Sequence, residues 1–213
     1  MKTMNPELLP LIEWWEKEGK QTIAMLAVAA VAVGGWYGWK AHKAAVRDAS
    51  SQALVNAYTT EEIEDAVSKF GGTATGGALK LRLAKNYYDN ARYEEAMAIY
   101  DELAAAGAPE GFADIPVVGK AQCLEGLGRF AEAQAAFDAF AETNAGSYLA
   151  LTAQLGAARA LAETGDRAKA LERLAALKTE NAEDALAKAR VEATEDAVRR
   201  FNPTIKSNPG VTK

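Results

Sequence analysis

Three windows of this chain superimpose at a constant offset, and that periodicity limits the fold more than any other feature. LAKNYYDNARYEEAMAIYDEL (83–103), KAQCLEGLGRFAEAQAAFDAF (120–140) and AARALAETGDRAKALERLAAL (157–177) each begin 37 residues after the one before. Small residues coincide at Ala84, Ala121 and Ala158, and again at Ala96, Ala133 and Ala170. Large ones coincide at Tyr87, Leu124 and Leu161, at Tyr100, Phe137 and Leu174, and at Leu103, Phe140 and Leu177. Ala91, Gly128 and Gly165 stand between two helical patterns, where a turn belongs. Alanine at a crossing lets two helix backbones meet, and a large residue one turn later fills the groove between them. A pair of helices built this way leaves an apolar face open, so neighbouring pairs must stack. Composition agrees: 47 of the 213 residues are alanine and only 6 are proline, the best and worst helix formers. Little of the sequence shows the alternation of a half-buried strand, so an all-α fold is expected.

The order of small residue, then Tyr or Leu, then Tyr93-x-x-Ala96 and Phe130-x-x-Ala133 resembles the tetratricopeptide repeat. The resemblance implies a helical-hairpin solenoid with three repeats over 78–181. The spacing exceeds the usual ~34 residues, and loops such as GAPEGFADIP (107–116) take up the excess. In the third repeat Arg167 stands where the aromatic belongs. Residues 182–201 read as one more amphipathic helix, capping the last open face through Ala185, Leu186, Ala189, Val198 and Phe201. The Pro-containing end, 202–213, reads as a disordered tail.

Ahead of the repeats, Gln21 to Trp39 is a run of 19 residues without a charge. As a helix it is about 28 Å long, the thickness of a bilayer's hydrocarbon core. Lys20 and Lys40 bracket it, with Trp14 and Trp15 before and Trp36, Tyr37 and Trp39 after, the aromatic belt of a membrane span. A soluble core helix would not need those flanks. A cleaved signal peptide would have a basic start, whereas residues 1–20 contain Glu7, Glu13, Glu16 and Glu18. The run is therefore read as an uncleaved single-pass transmembrane helix over 21–39. Orientation stays open, because Lys2, Lys17 and Lys20 on one side balance Lys40, Lys43 and Arg47 on the other. Leu8 to Trp15, within the 1–20 tail, is either a short interfacial helix or a flexible tail. Ala30, Gly34 and Gly38 recur every four residues and share a face that suits close packing with another membrane helix, although such patterns also arise by chance in Gly/Ala-rich spans. The span is expected to continue as a helical extension and hairpin over 40–77. Thr59 and Glu62 have capping-box spacing, and GGTATGG (71–77) forms a flexible break.

The same inventory restricts the chemistry. One Cys (Cys123) and one His (His42) exclude an internal disulfide and a Cys/His zinc site. With 29 acidic against 24 basic residues, nucleic acid is not an expected partner. Cys123 sits among packing residues and reads as a small buried hydrophobe, and His42 lacks ligating companions. No phosphate loop or Ser/His/Asp set is present, so no catalysis, cofactor, metal or small-molecule substrate is expected. A partner-binding face is expected where the first helix of each repeat lines the inner curve. Leu81, Val118 and Leu155 form an apolar stripe there, and Lys85, Gln122 and Arg159 a polar one. Such a face suits a hydrophobic peptide, unless the chain's own Lys40–Phe70 segment covers it. Clasping of acidic chaperone tails is not expected, because only Lys85 fits the constellation that ligand needs.

Taken in order, WWEKEGK (14–20), the small-residue span ending GWYGWKAHKAA (35–45), SSQALVNAY (50–58) and the repeats resemble the YfgM family over about residues 12–180. The resemblance implies an ancillary subunit of the Sec translocon in the bacterial inner membrane. It further implies a cytoplasmic N-terminus, periplasmic repeats and no catalytic residues. The implied partners are Sec translocon components, a membrane-anchored prolyl-isomerase-type chaperone and client polypeptides. The alternative is a scaffold for another envelope assembly, a pilus or secretion machine.

Overall fold

The structure is a computed structural model that describes residues 10, 14–109 and 111–200. Among these residues every regular element is helical, and there is no strand. The interfacial-helix reading of 8–15 and the tail at 202–213 lie largely or wholly outside them. The chain divides into two units, Met1–Gln52 and Ala53–Lys213.

In the first unit a π-helical turn, Trp15–Gly19, leads into α1, Lys20–Asn56, whose last turn belongs to the second unit. No proline interrupts these 37 residues, so nothing ends the helix where the apolar run ends. The helix is long and apolar enough to cross a membrane, and none of its most apolar window is buried. Val31 is 75% exposed and Trp36 60%.

The second unit holds α2 (Thr60–Phe70), α3 (Gly76–Asp89), α4 (Tyr93–Ala106), α5 (Asp114–Gly126), α6 (Phe130–Thr143), α7 (Ala150–Glu163), α8 (Arg167–Glu180) and α9 (Ala185–Arg200). Each of these helices packs against the next, and α7 also touches α5 and α9. The capping box forms at α2: the Glu62 amide donates to the Thr59 hydroxyl at 3.2 Å, and the Thr59 amide donates to the Glu62 carboxylate at 3.1 Å. The GGTATGG segment is a tied turn instead of a flexible break. The Thr73 hydroxyl donates to the Phe70 carbonyl at 2.7 Å and lies 3.0 Å from that of Thr75, and Gly76 and Gly77 already belong to α3.

Three-residue turns join α3 to α4, α5 to α6 and α7 to α8, and they are built alike. Ala91, Gly128 and Gly165 all have positive φ (58°, 75° and 105°). At each turn one amide bonds back to the carbonyl three residues earlier and the next to the carbonyl five earlier: Ala91 to Tyr88 and Arg92 to Tyr87, Gly128 to Glu125 and Arg129 to Leu124, Gly165 to Ala162 and Asp166 to Leu161. This paired closure needs a left-handed residue, which glycine supplies freely and Ala91 supplies under strain. So short a connection makes the joined helices antiparallel neighbours. Each turn then opens the next helix with an ion pair at i, i+3: Arg92–Glu95, Arg129–Glu132 and, with the charges exchanged, Asp166–Lys169.

The repeat positions make the core. Ala84, Ala121, Ala158, Ala96, Ala133 and Ala170 are at most 1% exposed, and Tyr100, Phe137, Leu174, Leu103, Phe140 and Leu177 are buried. Leu161 is half-buried at the edge of its cluster. Two glycines complete the crossing. A Cβ at Gly119 would come within 2.6 Å of the Tyr100 ring, and one at Gly156 within 2.7 Å of the Phe137 ring. The aromatic of one repeat thus packs against a bare backbone of the next, and dispersion with the ring replaces the missing side chain. In α9 the buried residues are Ala187, Val191, Thr194 and Val198, while Ala185, Leu186 and Ala189 are exposed, Leu186 by 75%. The face expected from sequence was therefore out of register except at Val198, and Phe201 lies outside the described residues.

Candidate functional site

A cleft of about 490 Å³ opens between α3 and α5. Four of the six expected partner-face residues line it: Leu81, Lys85, Val118 and Gln122. Its walls keep the 37-residue frame. Ala78, Leu81, Arg82 and Lys85 on α3 face Ile115, Val118, Gly119 and Gln122 on α5, the same four repeat positions in consecutive units. The Tyr100 ring forms the floor beneath Gly119. Burial pushes its phenol up to about 12.

Two aromatic side chains stand at the lips, Phe112 (49% exposed) and Tyr148 (61% exposed). Their loops are held by bonds within each loop and by contacts to neighbouring helices. The Phe112 amide donates to the Pro109 carbonyl at 2.9 Å, and Pro109 in turn packs on Gly77, where a Cβ would meet its ring at 2.8 Å. The Ser147 hydroxyl bonds Asp114 at the start of α5 and accepts from the Leu149 amide at 3.1 Å, which fixes Tyr148 between them.

The charged lining is cationic. The Arg82 guanidinium donates to the Leu54 carbonyl and lies 5.8 Å from the Tyr58 ring, and the Lys85 ammonium pairs with Asp89 one turn along. Both Lys85 and Asp89 are exposed, so their pair is weak and exchangeable. Among the described residues of the lining there is no carboxylate, thiol or imidazole. Such a surface can bury an apolar group and donate hydrogen bonds to its edge.

The expected stripe does not hold along its length. Val118 and Leu155 are each 3% exposed and belong to the core. Leu155 clusters with Val191 and Val198 of α9, and Arg190 of that helix donates to Thr152 at 2.8 Å. The cover over Leu155 is therefore the C-terminal helix. Arg159 is turned from the cleft into a two-pronged pair with Glu125, at 2.8 and 2.9 Å, which joins α7 to α5. Phe112, Tyr148, Ile115 and the paired glycines were not among the residues expected from the sequence. Gly119 and Gly156, 37 residues apart, were the legible signal.

In the first unit a Cβ at Gly34 or Gly38 would meet nothing within 4 Å among the described residues, and Ala30 is exposed. Cys123 is fully buried, and burial pushes its thiol up to about 11, which keeps it protonated and unreactive. Among the described residues no group of three His, Cys, Asp or Glu is placed to hold a metal ion. No protein-family model, curated protein or solved structure matches this chain.

Proposed function

We propose that the chain is a membrane-tethered binding protein whose α3/α5 cleft takes an apolar segment of a partner polypeptide. The observation that carries this reading is the cleft itself: an apolar floor, two exposed aromatic lips and hydrogen-bond donors in its lining. Aromatic side chains that stand half-exposed around a concave apolar surface gain most from a partner that dries them. The helix pairs at 37-residue spacing support a tetratricopeptide-like solenoid, a scaffold that offers such grooves between units.

The order of parts, with its likeness to the YfgM family, extends the proposal. The tether sits in the bacterial inner membrane with the N-terminus in the cytoplasm and the repeats in the periplasm. There the chain serves the Sec translocon beside a membrane-anchored prolyl-isomerase-type chaperone, and the cleft receives segments of emerging secretory chains. A photo-crosslinker at Leu81 or Tyr148 in native membranes tests this. Adducts to translocon components and nascent secretory chains are expected. A single dedicated partner from a pilus or secretion machine would favour the scaffold reading instead. An alkaline-phosphatase fusion after Lys213 is expected to be active, and an inactive fusion would overturn the periplasmic placement.

A further inference from the structure

The C-terminal end of the apolar run carries charge that its N-terminal end lacks. Both flanks hold three Lys or Arg, but those before the run are interspersed with Glu13, Glu16 and Glu18, whereas after Trp39 the first acid is Asp48. On α1, at 100° per residue, Trp36, Lys40, Lys43 and Arg47 fall within about 60° of arc, with Trp39 beside them. All five side chains are exposed. The Trp36 and Trp39 rings lie 5.5 Å apart, and the Lys43 ammonium sits 4.7 Å from the Trp39 ring centroid. Gly34 and Gly38 occupy the opposite side of the helix, so this face is separate from the small-residue one. Asp48 approaches Arg47 to 3.6 Å, but both are mostly exposed and the pair is weak.

We propose that Trp36, Trp39, Lys40, Lys43 and Arg47 form a collar that binds the headgroups of anionic phospholipids. The proposal rests on the reading of Gln21–Trp39 as a membrane span, which sets Trp36 and Trp39 at the depth of the glycerol backbone and the three cations among the phosphates. Charge complementarity identifies the occupant: three cations share a face that carries no acid, next to two indoles that favour the interface. The need for it lies in the rest of the chain. Residues 53–213 carry a net charge of −6, so an anionic bilayer repels them, and the collar opposes that repulsion at the point of attachment. Each cation near such a surface is worth about fivefold in lipid preference, less where salt screens it.

The test uses the full chain carrying W14F/W15F, which leaves Trp36 and Trp39 as its only tryptophans. It is reconstituted in phosphatidylcholine bilayers that contain an equal fraction of acyl-brominated phosphatidylglycerol or acyl-brominated phosphatidylcholine. Brominated phosphatidylglycerol is expected to quench the indoles with at least about a threefold preference at low salt, falling toward equality at high salt. K40Q/K43Q/R47Q in the same background is expected to abolish the preference while quenching continues. Equal quenching by the two lipids in the unsubstituted collar, or a preference that survives the triple substitution, overturns the collar and leaves the span standing. Absence of quenching by either lipid overturns the span and the collar together.

Discussion

The α3/α5 cleft and the α7/α9 contact occupy the same place in the repeat frame, yet one is open and the other closed. Leu81 and Leu155 are equivalent by spacing. Leu81 lines a cavity, whereas Leu155 is packed beneath Val191 and Val198. Lys85 and Arg159 are equivalent too. The first has only an exposed pair with Asp89, and the second is locked to Glu125. A repeat position therefore sets which helix face a residue occupies, but the next helix decides whether that face is available. The C-terminal helix closes one end of the array by burying its apolar face there, whereas the α3/α5 cleft stays open.

Substitution of the two leucines should separate the sites most strongly. Leu155→Ala is expected to cost ~2–5 kcal/mol in urea unfolding followed by circular dichroism. Leu81→Ala, already half-exposed, should cost ~1 kcal/mol or less while weakening crosslinking at the cleft. Equal losses would erase the distinction between open and closed positions.

The glycines refine it. A methyl group on Gly156 presses on Phe137, which has no exposed surface, so overpacking of ~1–3 kcal/mol should exceed the ~1 kcal/mol gained in helix propensity. Tyr100 borders open space on two sides, the α3/α5 cleft and a second cavity near Pro116 and Phe140, so its ring can yield. Gly119→Ala should accordingly be the milder change, and the reverse order would show that the cleft floor is as rigid as the closed end.

The turns should respond with opposite signs. Gly128→Ala and Gly165→Ala are expected to lose ~1 kcal/mol each by forcing a side chain into positive φ. Ala91→Gly relieves that strain and should stabilise by less than ~1 kcal/mol, since glycine also loses more freedom on folding. A destabilised Ala91→Gly would mean that this turn is held by its side chain.

The smallest effect concerns α2, which packs against α3. Bonds from the Tyr58 and Thr59 amides hold the Glu62 carboxyl below its usual value. A lowered folded pKa stabilises α2 above the unfolded-state value, and that contribution fades as pH falls through the lowered one. In NMR titrations the Tyr58 and Thr59 amide shifts should follow Glu62 below the ordinary carboxylate range, and E62Q should remove the dependence. Titration at the ordinary value would show that the cap is not formed in solution.

Much of this was legible in the chain. Alanine and aromatic spacing identified the helix crossings, because only a small residue permits close approach and only a large one fills the groove. Gly128 and Gly165 announced the turns, and Ala91 could be assigned only by register. An uncharged run between Trp-rich flanks marked a helix suited to lipid. The tertiary structure decided the rest. The fate of Leu155 and Arg159 depended on α9 and on Glu125, neighbours that periodicity within one window cannot reveal. The α9 face was misread because its apolar residues are few and alanine is indifferent to burial, so register came from Val191 packing on Leu155 and not from α9's own pattern. The sequence by itself determined which residues meet along each helix, since 3.6 residues per turn and a 37-residue period settle that locally. Only the tertiary structure decided which grooves stay open, because closing one requires a partner helix at the right height, and height is set by long-range packing.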